Sequence, residues 1–253
     1  PGNPMQSLGQ WFQSNVDIYD LKNYIKSADG TQRTWNYSYY DDLSPIYHNN
    51  IYWTRLINFE NDSRNRFFGY VNAKYKIAPW ISAEGRVSTD YYSEIQEERI
   101  AIGSNQTSKY SKYLRSFIET NYDLMLRANH NFGEISTNAL LGVNKRSNQV
   151  VSTYATTIGG LQVPDFYNLM NSKSPVSTTE KDELMGVNSA YMNLTLGYNN
   201  LAYLDITGRM DQMSTLPLTN NTYFYPSVSG SFILSEIEAI KNIKEISFAK
   251  LRL

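Results

Sequence analysis

The sequence predicts an all-β protein, an antiparallel sheet that crosses a membrane as a segment of a barrel. Side chains alternate between apolar and polar over long stretches, short connections alternate with long ones, and tyrosine is abundant, with 21 copies against 10 of phenylalanine. Strands of a membrane barrel alternate because one face meets lipid and the other meets water. Tyrosine suits the boundary, since its ring prefers hydrocarbon and its hydroxyl prefers water.

The bulk composition excludes several other classes. The 253 residues contain no run of the roughly 18 apolar residues that a membrane-spanning helix requires. A net charge of −1 provides no long-range field for nucleic acid, so nucleic-acid binding is disfavoured. The lack of cysteine excludes disulfides, thiolate metal sites and cysteine nucleophiles. The opening segment has no initiator methionine or signal peptide, and we expect the sequence to be a piece of a longer chain.

The chain divides into an irregular part and a periodic part. Residues 1–66 show no sustained period and contain the aromatic-rich stretches "DGTQRTWNYSYYDD" and "YHNNIYWTRLINFENDSRN". We expect them to form a large external loop region with short local elements. From Phe67 onward the period is two, so residues 67–253 are predicted to form about seven full barrel strands and a partial one.

The predicted hairpins keep their apolar residues on one face. Odd-numbered positions are apolar or small in residues 67–77 and 81–91, so pairing Ile77 with Ile81 across a three-residue loop aligns the two sets. Apolar positions are even in residues 122–128 and odd in 135–143, which requires a turn with an even number of residues, such as Phe132–Gly133.

The last predicted strands follow the same rule. Residues 190–198 and 202–210 are apolar at even positions on either side of "NNL", and residues 224–234 continue that parity. Between the tight turns, residues 92–118, 144–186 and 211–222 are polar and are predicted to be long loops. Minimal turns on one side and extended loops on the other are typical of outer-membrane barrels.

A soluble β-sandwich is the main alternative, because its strands also alternate. The apolar positions hold mostly small or medium side chains, whereas a packed core needs bulky residues at strand centres. The patterned segments are also longer than the usual 5 to 6 residues of globular strands and fit the roughly 9 to 11 that cross a bilayer. Both observations favour the membrane barrel.

Several motifs resemble one family. The stretch "YLDITGRMDQMSTLPLTNNTYFYPSVSGSFILSE", residues 203–236, is similar to the barrel motif of SusC/RagA-type TonB-dependent outer-membrane transporters. The segments "GQWF", "NNIYW", "RNRFFGYVNAKYKIAPWIS" and "KLRL" resemble further motifs of that family in its order. The chain departs from the pattern at Ile51, where the family often has proline, and at Gln212–Met213, where an aromatic residue and a serine are usual.

The resemblance implies a function. It implies part of the wall of a 22-stranded barrel in the bacterial outer membrane, roughly a third of that wall, with the plug domain and its TonB box outside this chain. Such a transporter imports an oligosaccharide or a peptide, is energised by TonB through the plug, carries a SusD-like surface lipoprotein as a lid and is surrounded by outer-membrane lipid. A passive porin is the remaining alternative.

The candidate site residues follow from this interpretation. Polar positions of the strands are expected to face the lumen, either in cross-strand ion pairs or in contact with the plug or a solute: Lys74, Arg86, Asp90, Asp123, Arg127 and Asp205. External residues are expected to contact ligand or lid, or to pack loop against loop: Trp35, Tyr39, Tyr47, Tyr52, Trp53, Arg209 and Asp211.

Catalysis has no support in the sequence. The two histidines, His48 and His130, lie in a loop and beside a tight turn, without metal-ligand spacing. The carboxylate pairs Asp41–Asp42 and Glu97–Glu98 lie in polar contexts typical of solvated surface. We therefore predict that the chain is not an enzyme and holds no metal or cofactor.

Overall fold

One sheet dominates the computed structural model, which describes residues 12–241, 243 and 246–253. Its eight strands are neighbours in chain order. They are β1 (Glu60–Ala78), β2 (Ile81–Ile100), β3 (Lys109–Phe132), β4 (Ile135–Leu161), β5 (Ser172–Tyr198), β6 (Ala202–Met213), β7 (Thr222–Ile233) and β8 (Lys250–Arg252). The pairs from β5 to β8 are antiparallel. The prediction of an all-β antiparallel sheet with long strands is confirmed.

The helical elements are short. They are α1 (Ile18–Asn23), α2 (Ile51–Leu56) and α3 (Glu238–Lys241), with single 3-10 turns at Leu169–Asn171, Leu218–Asn220 and Leu234–Glu236. Asp17 caps α1 by accepting the Tyr19 N–H at 2.7 Å, and Asn50 caps α2 by accepting the Tyr52 N–H at 2.9 Å. No helix among the described residues has the length and apolar character needed to cross a membrane.

The hairpin between β5 and β6 has the predicted register. Tyr198 pairs with Ala202 across a three-residue connection. Asn199 and Asn200 adopt φ angles of 48° and 58°, and the Leu201 N–H donates to the Tyr198 carbonyl at 2.8 Å. Asparagine tolerates this left-handed conformation better than most residues, so "NNL" suits a tight turn that keeps both apolar sets on one face.

The other two predicted hairpins also keep their apolar residues on one face, although the turn residues differ slightly from the prediction. Between β3 and β4 the turn is Gly133–Glu134 rather than Phe132–Gly133, with Gly133 at a φ of +61°. The even number of turn residues, and with it the switch of parity, is retained. Between β1 and β2, Arg66 contacts Asp90, so even-numbered positions of both strands share one face as predicted.

The long loops predicted at residues 92–118 and 144–186 are wrong. β2 continues to Ile100 and β3 begins at Lys109, while β4 continues to Leu161 and β5 begins at Ser172. β1 likewise begins at Glu60, before the predicted start at Phe67. Backbone hydrogen bonds hold a strand ladder together, so a segment that is polar on both faces still extends it. The absence of alternation in these segments therefore did not indicate a loop.

The chain separates into two compact units. Unit 1 comprises the described residues up to Asn65 with Tyr92–Ser116 and Val150–Asp182, and unit 2 comprises Arg66–Tyr91, Phe117–Gln149 and Glu183–Leu253. The buried apolar side chains of unit 1 form a protein core: Leu21, Trp53, Ile100, Ala101, Tyr110, Ala155 and Leu161. In the described part of unit 2, Met125 is the only buried apolar side chain.

Unit 2 has two chemically different faces. Its apolar face carries side chains that remain exposed, including Leu124 at 59%, Leu141 at 61% and Val228 at 68%. No second sheet covers these side chains among the residues that the structure describes. A β-sandwich would bury this face, so the arrangement argues against the soluble alternative.

A charge on the apolar face is expected to impair assembly in a membrane. Leu126 lies near the middle of the apolar stretch of β3, so Leu126→Arg in the full-length protein should cost about 2 to 4 kcal/mol of folding free energy, and Leu204→Arg, nearer a turn, should cost less. Thr207→Arg is the control, since Thr207 pairs with Asn193 and Ser227 on the polar face. The measurement is reversible unfolding in lipid bilayers. Equal costs for Leu126→Arg and Thr207→Arg would contradict the assignment of faces.

Candidate functional site

The polar face of unit 2 carries ion pairs between neighbouring strands. The Arg66 guanidinium donates to both carboxylate oxygens of Asp90, at 2.8 and 2.6 Å, and Arg86 contacts Asp123 at 3.0 Å. Two further cross-strand pairs join Arg127 to Glu84 at 3.5 Å and Arg146 to Glu119 at 2.8 Å. The predicted residues Arg86, Asp90, Asp123 and Arg127 are thus all members of cross-strand pairs.

A second polar cluster lies on β5 and β6. The Arg209 guanidinium donates to Asp211 at 2.8 Å and to the Ser189 hydroxyl at 2.9 Å, and Asp211 is 9% exposed. Asp205 accepts a hydrogen bond from the Thr195 hydroxyl at 2.5 Å. Arg209 and Asp211, predicted to meet ligand or lid, here bind each other. Lys74 is exposed, and no ion pair joins it to another residue in the described part of the chain.

Two tyrosine rings lie against glycines on this polar face. Tyr203 pairs directly with Gly197, where an added Cβ would be 2.8 Å from the ring. Tyr191 covers Gly142, where an added Cβ would be 2.3 Å from Cζ. The Arg209 guanidinium lies 5.9 Å from the centroid of the Tyr191 ring. An aromatic ring that covers a strand glycine shields its backbone and fills the missing side chain.

In unit 1, Trp53 is an internal support rather than a ligand contact. Its side chain is 1% exposed, and its indole N–H donates to the Ser104 hydroxyl at 2.9 Å. Asn58 donates to the same hydroxyl at 2.8 Å. The Lys26 ammonium lies 5.6 Å from the centroid of the indole. In this structure, therefore, Trp53 has no surface to offer a solute or lid, contrary to its prediction as a contact residue.

A network of buried amides surrounds Trp53. Gln32 donates to Asn49 at 2.8 Å and to the Gly103 carbonyl at 2.7 Å, and Asn49 donates to Asn105 at 2.7 Å. Asn50, fully buried, donates to the carbonyls of Leu21 and Arg33. Sequence reasoning missed this network. The signal available was "NN" directly before the α2 residues "IYW", where a helix-capping asparagine was to be expected.

Some exposed aromatic residues of unit 1 lie on or next to a tyrosine-rich loop, residues 37–47. Tyr39 and Tyr47 are 63% and 70% exposed, and Tyr39 contacts Tyr40 with ring centroids 4.9 Å apart. Residues 37 and 45 close the loop through a β-bridge. Hydrogen bonds from the side chain and backbone of Ser44 hold the pKa of Asp42 below its usual value, so this carboxylate is ionised at neutral pH.

A cleft opens beside this loop. It has a volume of about 740 Å³ and is lined by Gln13, Trp35, Asn36, Tyr47 and His48. The Trp35 and His48 rings are stacked, with centroids 6.0 Å apart and planes at 16°. The Trp35 indole nitrogen is buried and has no hydrogen-bond partner in the part of the chain that the structure describes. The structure thus brings Trp35 and Tyr47 to one cleft, while Tyr52 is half-buried outside its lining.

The described residues offer no site for a metal ion. No group of three or more histidine, aspartate or glutamate side chains close enough to share a metal occurs in residues 12–241, 243 and 246–253.

Comparison with known proteins identifies the fold. No family model and no curated protein matches the sequence. The structure of the RagAB peptide transporter matches 88% of this chain with a TM-score of 0.67 at 13% identity, and that of the RagAB peptide importer in its open-open state matches 89% with the same score at 14% identity. BauA, the ferric preacinetobactin receptor from Acinetobacter baumannii, matches 70% with a TM-score of 0.50 at 11% identity.

The chain therefore has the fold of part of the RagAB transporter chain and of part of the BauA chain. The predicted transmembrane barrel segment and the resemblance to SusC/RagA-type transporters are confirmed at the level of the fold. The chain spans 25% of the RagAB transporter chain and 29% of the BauA chain. The titles of these matches describe a peptide transporter, a peptide importer and a receptor. The total of 22 strands stays a prediction.

The contact between Tyr191 and Gly142 predicts a sensitive position on the polar face. Gly142→Ala places a methyl group where the ring lies, so we expect a loss of about 1 to 3 kcal/mol in the unfolding free energy of the full-length protein. In a Tyr191→Ala background the same change should be nearly neutral. Gly85→Ala is the control, because nothing lies within 4 Å of its added Cβ. A Gly142→Ala protein as stable as Gly85→Ala would show that the ring does not rest on the glycine.

Proposed function

We propose that the chain forms part of the wall and external loops of a TonB-energised nutrient importer in the bacterial outer membrane. The observation that carries this proposal is the division of unit 2 into an exposed apolar face and a face of ion pairs. In a bilayer the apolar face meets lipid, and the ionic face lines an aqueous lumen. Reversing the two would leave charges in hydrocarbon, at a prohibitive cost.

The ion pairs suit a wall that does not move during transport. Each pair joins neighbouring strands and lets a charged side chain remain close to the sheet. A lumen lined in this way is polar and can hydrogen-bond a plug domain or a passing solute. The chain contributes the fixed wall, while TonB acts on the plug, which the resemblance places elsewhere in the whole protein.

The external residues supply candidate contacts for a solute and a lid. The cleft at Trp35 offers the flat aromatic surfaces of Trp35, Tyr47 and His48. Aromatic faces pack against sugar rings or peptide side chains, so an oligosaccharide or a peptide fits this chemistry. The exposed tyrosines of the tyrosine-rich loop provide the kind of surface that anchors a protein partner, here a SusD-like lipoprotein lid.

Uptake by cells that carry the full-length protein tests the importer proposal. The probes are a radiolabelled peptide mixture from hydrolysed casein and a radiolabelled oligosaccharide mixture from hydrolysed starch. We expect saturable uptake of one mixture, lowered at least about tenfold when TonB is deleted, because the plug then stays in place. Uptake that is unchanged without TonB would identify a passive porin and overturn the proposal.

The cleft makes a separate prediction. Trp35→Ala removes a stacking surface, so the half-saturating solute concentration should rise about 2- to 10-fold with little change in the maximal rate. Leu218→Ala is the control, since Leu218 is a 91% exposed apolar residue on another loop. Uptake measured over a range of solute concentrations separates the two parameters. An unchanged half-saturating concentration would remove Trp35 from the solute site.

A further inference from the structure

A groove crosses the apolar face of unit 2. Its volume is about 510 Å³, within the range of small-molecule sites. The floor is low because Ala190 and Gly208 have little or no side chain there. The walls are Leu124, Leu126, Leu141, Val143, Met192, Met210 and Phe224. Residues of this size and shape suit a flexible hydrocarbon chain lying along the sheet.

One end of the groove becomes polar. A second depression of about 570 Å³ shares Leu124, Val143, Ala190 and Met210 with the first and adds polar side chains of the same face: Tyr122, Lys145, Asn188, Gln212 and Thr222. Lys145 is exposed. No acidic side chain forms an ion pair with it within the described ranges of the chain. A cation and several hydrogen-bond donors thus lie at the end of an apolar channel.

The polar end lies at one depth along the sheet. Lys145 is ten positions after the start of β4, Asn188 ten before the end of β5, and Gln212 ten after the start of β6. Ten residues rise about 34 Å along a strand, which a tilt of about 45° reduces to roughly 24 Å across the membrane. That height matches the apolar band of about 25 Å in outer-membrane barrels. The short turns lie at its inner boundary, so these side chains lie at its outer one.

In the strands that the structure describes, no lysine or arginine lies at the inner boundary on this face. There side chains of β3 and of the turn between β1 and β2 form an aromatic cluster, with His130 4.5 Å from Phe132 and 6.1 Å from Trp80 between ring centroids. Aromatic girdles of this kind occur at both interfaces of a barrel and select no particular head group. Among the described strand residues of this face, the lysine therefore lies at the outer boundary and not at the inner one.

We propose that this groove binds lipid A, the phosphorylated and acylated glycolipid of the outer leaflet, with an acyl chain along the apolar floor and a phosphate against Lys145. The inference rests on the proposed function, because it requires the outer membrane. Asn188, Gln212 and Thr222 can donate hydrogen bonds to the sugar or the phosphate. A phospholipid of the inner leaflet would present its head group at the opposite end, where the aromatic cluster lies.

The test is direct titration of the purified full-length protein in detergent with lipid A and, separately, with phosphatidylethanolamine. Native mass spectrometry counts the lipids that remain bound. We expect lipid A to bind at least about tenfold more tightly. Lys145→Gln should lose that preference, since it removes a charge-assisted hydrogen bond. Ala190→Phe should abolish binding of both lipids at this groove by filling the floor.

Lys74→Gln is the matched control, because it removes the same charge from an exposed polar-face position of β1. Equal retention of both lipids, a Lys145→Gln protein that behaves as wild type, or a second copy of the chain that covers the groove would each overturn the proposal. Failure of the proposed function would appear separately, as absence from outer-membrane fractions or TonB-independent uptake.

Discussion

The structure depends on the separation of water from hydrocarbon across the thickness of a single strand. Side chains on successive residues point to opposite faces of a sheet, so the two-residue period of unit 2 assigns each residue to one solvent. Burial of apolar area normally happens inside a protein, but the described part of unit 2 has almost no such interior. Its apolar side chains are exposed instead, as the proposed lipid surroundings require, and the backbone ladder and the polar-face contacts join strand to strand.

The two units are consequently stabilised by different interactions. In unit 2 the polar face is held by ion pairs and by tyrosines laid on glycines, which keep bulky and charged groups close to the wall. In unit 1 a core of ordinary protein type includes Trp53. The amides of Gln32, Asn49 and Asn50 then satisfy the backbone of irregular segments that no strand or helix could pair.

The sequence predicted the part of the fold that the membrane constrains. Faces, parity and the register at Tyr198 and Ala202 follow from alternation, because one wrong step would expose every charged side chain to lipid. The extensions of the strands to Ile100 and Leu161 were not predicted, because backbone hydrogen bonds there pair the strands without any alternation of side chains. The candidate site residues were likewise predictable only where they follow from the alternation of faces. Cross-strand pairs such as Arg86 with Asp123 were foreseeable from parity, whereas the burial of Trp53 depended on contacts between residues far apart in the chain.

The antiparallel register of β5 with β6 limits how such a wall can change during evolution. Deleting one residue within a strand would move every following side chain to the opposite face of the sheet, as far as the next bend. Deleting two residues would shorten the strand and leave each side chain on its own face. Length variation between related walls should accordingly accumulate as paired losses or gains, or at a bulge that absorbs the odd residue. In the gene, insertions and deletions within these strands should therefore span an even number of codons.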